Sequence, residues 1–135
     1  MNKYRREIIK ELDELELNYR EVDDVAIEIC VRGEICQRIN ITVVFFDKLP
    51  NLVSIAATDI LSVNGKRKEA LELINEINNT TRWFTLSADK NDCVNCSVDT
   101  FLSEEGSRFE FNLMLVYLVK VIDENYSKFM KLLWN

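Results

Sequence analysis

The stretch Asp92-Cys93-Val94-Asn95-Cys96-Ser97 holds the one spacing in this chain that suggests chemistry, a C-x-x-C. Cysteines so spaced can hold zinc together with a second pair or with histidines, or exchange a disulfide when they open a helix. Neither setting is present. The chain has no histidine and no second C-x-x-C, so no zinc ligand set is completed. Val94, Cys96 and Val98 read as the inner face of a strand, and a spacing of three sends the two thiols to opposite faces. Their Cα atoms would lie about 10 Å apart at ~3.3 Å per residue, beyond the ~7 Å that a disulfide spans. The motif reads as structure.

Other chemistry is thinner still. Without histidine, Ser-His and Cys-His nucleophile pairs are impossible. The carboxylate pairs Asp23-Asp24 and Glu104-Glu105 fall at element boundaries, where solvated caps are the ordinary role; an enzyme, if there is one, would have to use them. Gly33, Gly65 and Gly106 are isolated, so there is no phosphate-binding loop. Catalytic, cofactor-binding and metal-binding residues are therefore none. The net charge of −6 argues against nucleic acid; Lys66-Arg67-Lys68 opens a helix beside acidic residues and reads as a solvated face. The start, MNKYRREIIKELDELEL, lacks the apolar core of a secretory signal, and the apolar run near Leu113–Val119 is far short of the ~20 residues of a membrane span. Four cysteines without such a signal imply reduced thiols and a cytoplasmic location. The length of 135 residues suits a single domain over 1–135, and 47% hydrophobic with 30% charged residues suits a soluble globular one.

The elements follow from periodicity. Tyr4, Ile8, Leu12 and Leu15 recur at helical spacing between about Asn2 and Leu17. From Val22 the period becomes two: Val25, Ile27, Ile29 and Val31 alternate with polar or small residues, and Ile35, Ile39, Ile41, Val43 and Phe45 do so again. Facing both sets to one core predicts a hairpin with Cys30 opposite Cys36 and Glu28 opposite Arg38; Gln37 on the inner face is its weak point. Such a Cys30–Cys36 pair could bridge outside a cell and stays reduced inside one. LVSIAATDIL gives a third strand. Asn64 is a candidate cap for a helix through KRKEALELINEIN, ended by Asn78-Asn79. Trp83–Leu86 and Cys93–Phe101 form a further hairpin, and a long helix runs from about Ser107 towards Trp134. The fold class is α+β in the order α-β-β-β-α-β-β-α, an antiparallel sheet packed with helices.

The final helix is apolar nearly all round, from Phe109 to Ile122. A surface helix needs only one such stripe. Either the helix lies between the sheet and the first helix, or its other side meets a second subunit or a partner. Candidate partner contacts are Leu113, Val116 and Tyr117, with Met130, Leu133 and Trp134 at its end. Asn75 and Asn78 join them as a candidate face of the second helix, although asparagines so placed also cap helix ends.

LNYREVDD followed by alternating strands, EALELINEINN, and LVKVIDENYSKFMKLLW together resemble the YbjN-like family of bacterial proteins, labelled sensory transduction regulators. The resemblance covers most of the chain. It implies the fold of type III secretion chaperones, a twisted antiparallel sheet with helices, and a homodimer. It carries no catalytic residues. It implies an interaction module, chaperone-like or regulatory, that holds a partner protein segment on a sheet edge or apolar helix. The alternative is a small-molecule sensor with an apolar pocket between the sheet and Trp83, Phe84 or Trp134.

Overall fold

The structure, a computed structural model, describes residues 2–134. Helix α1 (Lys3–Glu14) is followed by strands β1 (Tyr19–Glu21), β2 (Ala26–Val31), β3 (Ile39–Phe45) and β4 (Leu52–Ser62), then α2 (Arg67–Thr80), β5 (Thr85–Ala88), β6 (Cys93–Phe101) and α3 (Ser107–Trp134). The strands form one antiparallel sheet in the order β1-β2-β3-β4-β6-β5. The α+β class is as expected, with one strand more than the sequence suggested. At three residues, β1 is too short for an alternation to show.

Alternation decides which sheet face is covered. Ile27, Ile29, Ile41, Val43, Val53, Ile55, Ala57, Val94 and Cys96 are buried in one core with residues of all three helices. On the other face, Glu28, Thr42, Ala56 and Ser97 form a row across four strands. In α3 the core face is Phe111, Leu115, Leu118, Ile122 and Phe129, spaced at three, four and seven residues. Asn125 lies among them and donates Nδ2 to the Val121 carbonyl at 2.8 Å. Asn2 caps α1, accepting the Tyr4 N–H at 2.8 Å.

Three local expectations are corrected. Cys30 faces Asn40 and Glu28 faces Thr42, so the β2–β3 register is displaced from the predicted hairpin by four residues. An even displacement keeps every residue of β2 and β3 on its face, which is why the inner rows Ile27–Ile29 and Ile39–Phe45 are as expected and the cross-strand pairs are not. The cause lies in α3. The Asp123 carboxylate accepts the N–H groups of Glu34 (2.8 Å), Ile35 (3.1 Å) and Cys36 (2.9 Å) and pins residues 32–38 as a loop. Gly33 sits so close that a Cβ there would collide with that carboxylate. In this loop Cys36 is buried and Ile35 exposed, the reverse of the strand reading, and Glu28 pairs with Arg20 at 2.7 Å in place of Arg38. Lys66, not Asn64, occupies the cap position of α2, and its side chain makes no cap bond.

Candidate interaction surface

Among the described residues, nothing covers the outward side of α3. Phe109 (71% exposed), Leu113 (54%) and Val116 (61%) follow one another at spacings of four and three residues and form a ridge. Tyr117 flanks the ridge, its ring 5.7 Å from Phe84 and 5.8 Å from Trp83, the latter edge-on. Trp83 is itself 69% exposed and held at φ +68°, a conformation that bulky residues rarely adopt. A strained backbone thus turns a tryptophan outward beside the ridge. Leu15, Leu17, Val31, Leu115, Val116 and Val119 line an apolar groove of about 300 Å³ on the helix's flank.

The expected contact residues divide into three groups. Leu113, Val116 and Tyr117 are together on the ridge. Trp134 is exposed, but it lies five turns from Val116, about 27 Å at 1.5 Å per residue. Exposed Lys120 and Ser127 intervene, while Met130 and Leu133 are half-buried. Asn75 is exposed on α2. Asn78 is committed: its Nδ2 donates to the Leu86 carbonyl (3.0 Å) and its Oδ1 accepts the Leu86 N–H (2.9 Å). Phe109 and Trp83 were not among the expected contacts. Phe109 could have been found one turn before Leu113; the backbone that presents Trp83 leaves no such pattern.

Between the sheet and α3, around Cys96, Ile122 and Phe129, the free space is about 10 Å³, room for one water at most.

The C-x-x-C thiols do lie on opposite faces of β6 and, with Cys30 and Cys36, are free. Burial pushes the Cys96 thiol up to about 12. Desolvation, then a hydrogen bond to Asp59 and nearby carboxylates, also raises Cys93, so neither is poised as a thiolate. Asp59, Asp89 and Cys93 bring ligand atoms within 4.8 Å of one another. Asp89, however, already accepts the N–H groups of Cys93 (3.1 Å) and Asn91 (2.8 Å) and the Asn95 amide (3.3 Å), bonds that hold its carboxyl low and organise the β5–β6 turn. Asp23 plays a similar part, accepting the Val25 and Ala26 N–H groups at 2.8 Å each. Among the described residues no helix is long and apolar enough to cross a membrane.

No family model matches this chain, and no curated protein matches it. Among solved structures, it is similar in fold to the type III secretion chaperone SycH of Yersinia pestis, whose structure was solved in complex with a stable fragment of YscM2. The two share 14% sequence identity with a TM-score of 0.54, over 96% of this chain and 98% of that one. The likeness is one of fold, and the fold is that of a secretion chaperone.

Proposed function

We propose that this protein is a non-catalytic protein-binding module, chaperone-like or regulatory, of the YbjN-like kind, working in the cytoplasm as a homodimer. The observation that carries the reading is the ridge of Phe109, Leu113 and Val116 with Tyr117 and outward-turned Trp83. Aromatic and aliphatic side chains so grouped are the usual anchors of protein interfaces. A chaperone fold solved with a bound protein fragment supports the choice of partner class. Leu113, Val116, Tyr117 and, farther along α3, Met130, Leu133 and Trp134 are the proposed contacts, with Asn75 on α2. Asn78 belongs to that set only through the β5 backbone it holds.

The test is site-specific photo-crosslinking in the protein's own cells, with the photoreactive residue at Val116 and, as control, at Glu28 on the far sheet face. A defined adduct from position 116 alone is expected, either to a second copy or to another chain. It should weaken at least tenfold in a Leu113→Asp, Val116→Asp variant, since interface anchors are worth ~2 kcal/mol or more. The same scatter of products from both positions would overturn the reading.

A further inference from the structure

The two edges of the sheet are not equivalent. At β5, α2 takes up outward backbone groups: Asn78 satisfies Leu86 in both directions, and Arg67 donates to the carbonyls of Ala88 (3.5 Å) and Asp89 (2.7 Å). At β1 nothing does so among the described residues. Arg20 lies opposite Glu28, and the flanking bonds run from the Val22 N–H to the Ala26 carbonyl (3.0 Å) and from the Cys30 N–H to the Asn18 carbonyl (3.4 Å). Bonded residues alternate in an antiparallel ladder. Tyr19 and Glu21 therefore turn their N–H and C=O groups away from β2, to the open edge.

Beside that edge is a cleft of about 540 Å³, lined by Arg5, Glu21, Asp23, Asp24, Phe45 and Asp47, with Asn2 at its rim. Arg5 is 2% exposed. Its Nη2 donates to Glu21 Oε1 (3.3 Å) and to the Asp23 carbonyl (2.7 Å), while Nε and Nη1 have no partner among the described residues. Glu21 is engaged with Arg5. Among the described residues, no lysine or arginine nitrogen lies within 4.0 Å of the Asp23, Asp24 or Asp47 carboxylates. The cleft thus holds four carboxylates against one buried guanidinium.

We infer that β1 is the sheet's acceptor edge and that its occupant is an extended, basic protein segment. The inference rests on the protein-binding reading above and names a second contact of that binding. A strand laid along β1 pairs its backbone with Tyr19 and Glu21, and sets every second side chain on the inner face, beside the cleft. A lysine or arginine across from Glu21 meets Asp23, Asp24 and Asp47. A small rotation of the Arg5 side chain brings Nε or Nη1 to a carbonyl of the incoming segment. Two residues of edge make a short pairing, so charge supplies the discrimination.

Fluorescence anisotropy on the full chain tests this with a labelled ten-residue peptide of alternating threonine and lysine. The peptide is expected to bind at low salt, and its glutamine and glutamate counterparts to bind at least tenfold more weakly. Asp24→Asn with Asp47→Asn should weaken it roughly five- to tenfold. Glu72→Gln with Glu76→Gln removes the same charge from α2 and should change nothing. N-methylation of alternate peptide nitrogens should abolish binding in one frame and spare it in the other, because only one frame faces β1. Equal losses from the two double variants, or indifference to methylation in both frames, would overturn the inference. Leu113→Asp with Val116→Asp should leave the peptide affinity unchanged. No peptide binding, together with an intact crosslink at position 116, sinks the β1 edge and leaves the ridge. A bound peptide with no crosslink does the opposite.

Discussion

Asp123 shows how one side chain can govern a distant stretch of backbone. Its carboxylate gathers three N–H groups 87 to 89 positions earlier in the chain. Partial burial works against ionisation, but the bonds from Cys36, Glu34 and Ile35 outweigh it and hold the carboxyl below the usual range. A carboxyl lowered on folding stabilises the fold fully above its unfolded value near ~4 and loses that contribution as pH falls through the folded one. Asp123→Asn should therefore cost about 2 kcal/mol at neutral pH, for charge-assisted bonds lost or weakened. It should also flatten the acid limb of the stability curve, because the titrating group has gone. Urea denaturation of both proteins from pH 7 down to pH 3 measures this; curves that stay parallel to pH 3 would count against the role. The same residue explains why the β2–β3 register was illegible. Nothing near Cys36 in the sequence announces a partner in the last helix, so a tight hairpin was the best local solution.

Elements were legible where a single face had to be buried and illegible where a tertiary contact chose between equals. Alternating apolar residues placed β2, β3, β4 and β6 because a slip of one residue would have exposed a whole row. Three residues of β1 could not show a period. Asn75 and Asn78 illustrate the same limit, since two asparagines one turn apart on α2 look alike in sequence. In the fold one faces solvent and the other closes the β5 edge by pairing with Leu86. Asn78→Ala should cost about 2 kcal/mol, for two bonds broken and two backbone groups left without partners. It should also expose that edge, whereas Asn75→Ala should change stability by no more than about 0.5 kcal/mol. Thermal unfolding gives the first comparison. Concentration-dependent light scattering gives the second, since an unsatisfied strand edge recruits further chains. Equal stability and equal scattering of the two variants would remove the edge-closing role.

At the scale of the molecule, a surplus of apolar residues in the last helix could be read from the sequence, but not which side remained uncovered. That depends on how α1, α2 and the sheet share the inner face, a property of no single segment. The division is sharp: Phe111, Leu115 and Leu118 are buried, while Phe109, Leu113 and Val116 on the same turns are not. A ridge outside the core should be expendable for folding, and Cys96 offers a way to measure that. It sits on β6 between Ala57 of β4 and Leu86 of β5, fully buried, its thiol pushed up to about 12 by burial. A reagent reaches it only when the sheet opens, so its labelling reports global unfolding, whereas exposed Cys30 labels in the native state. In a chain keeping Cys96 alone, with serine at the other three cysteines, Leu113→Asp and Val116→Asp should alter the labelling rate by less than about threefold, the ~0.6 kcal/mol of an ordinary surface change. Ile122→Ala, one helical turn from Leu118 on the buried face, should speed it by about thirtyfold or more, the 2–5 kcal/mol of a core truncation. If the ridge variant matched Ile122→Ala, the ridge would be part of the core, and any loss of crosslinking at position 116 would report misfolding and not a lost partner.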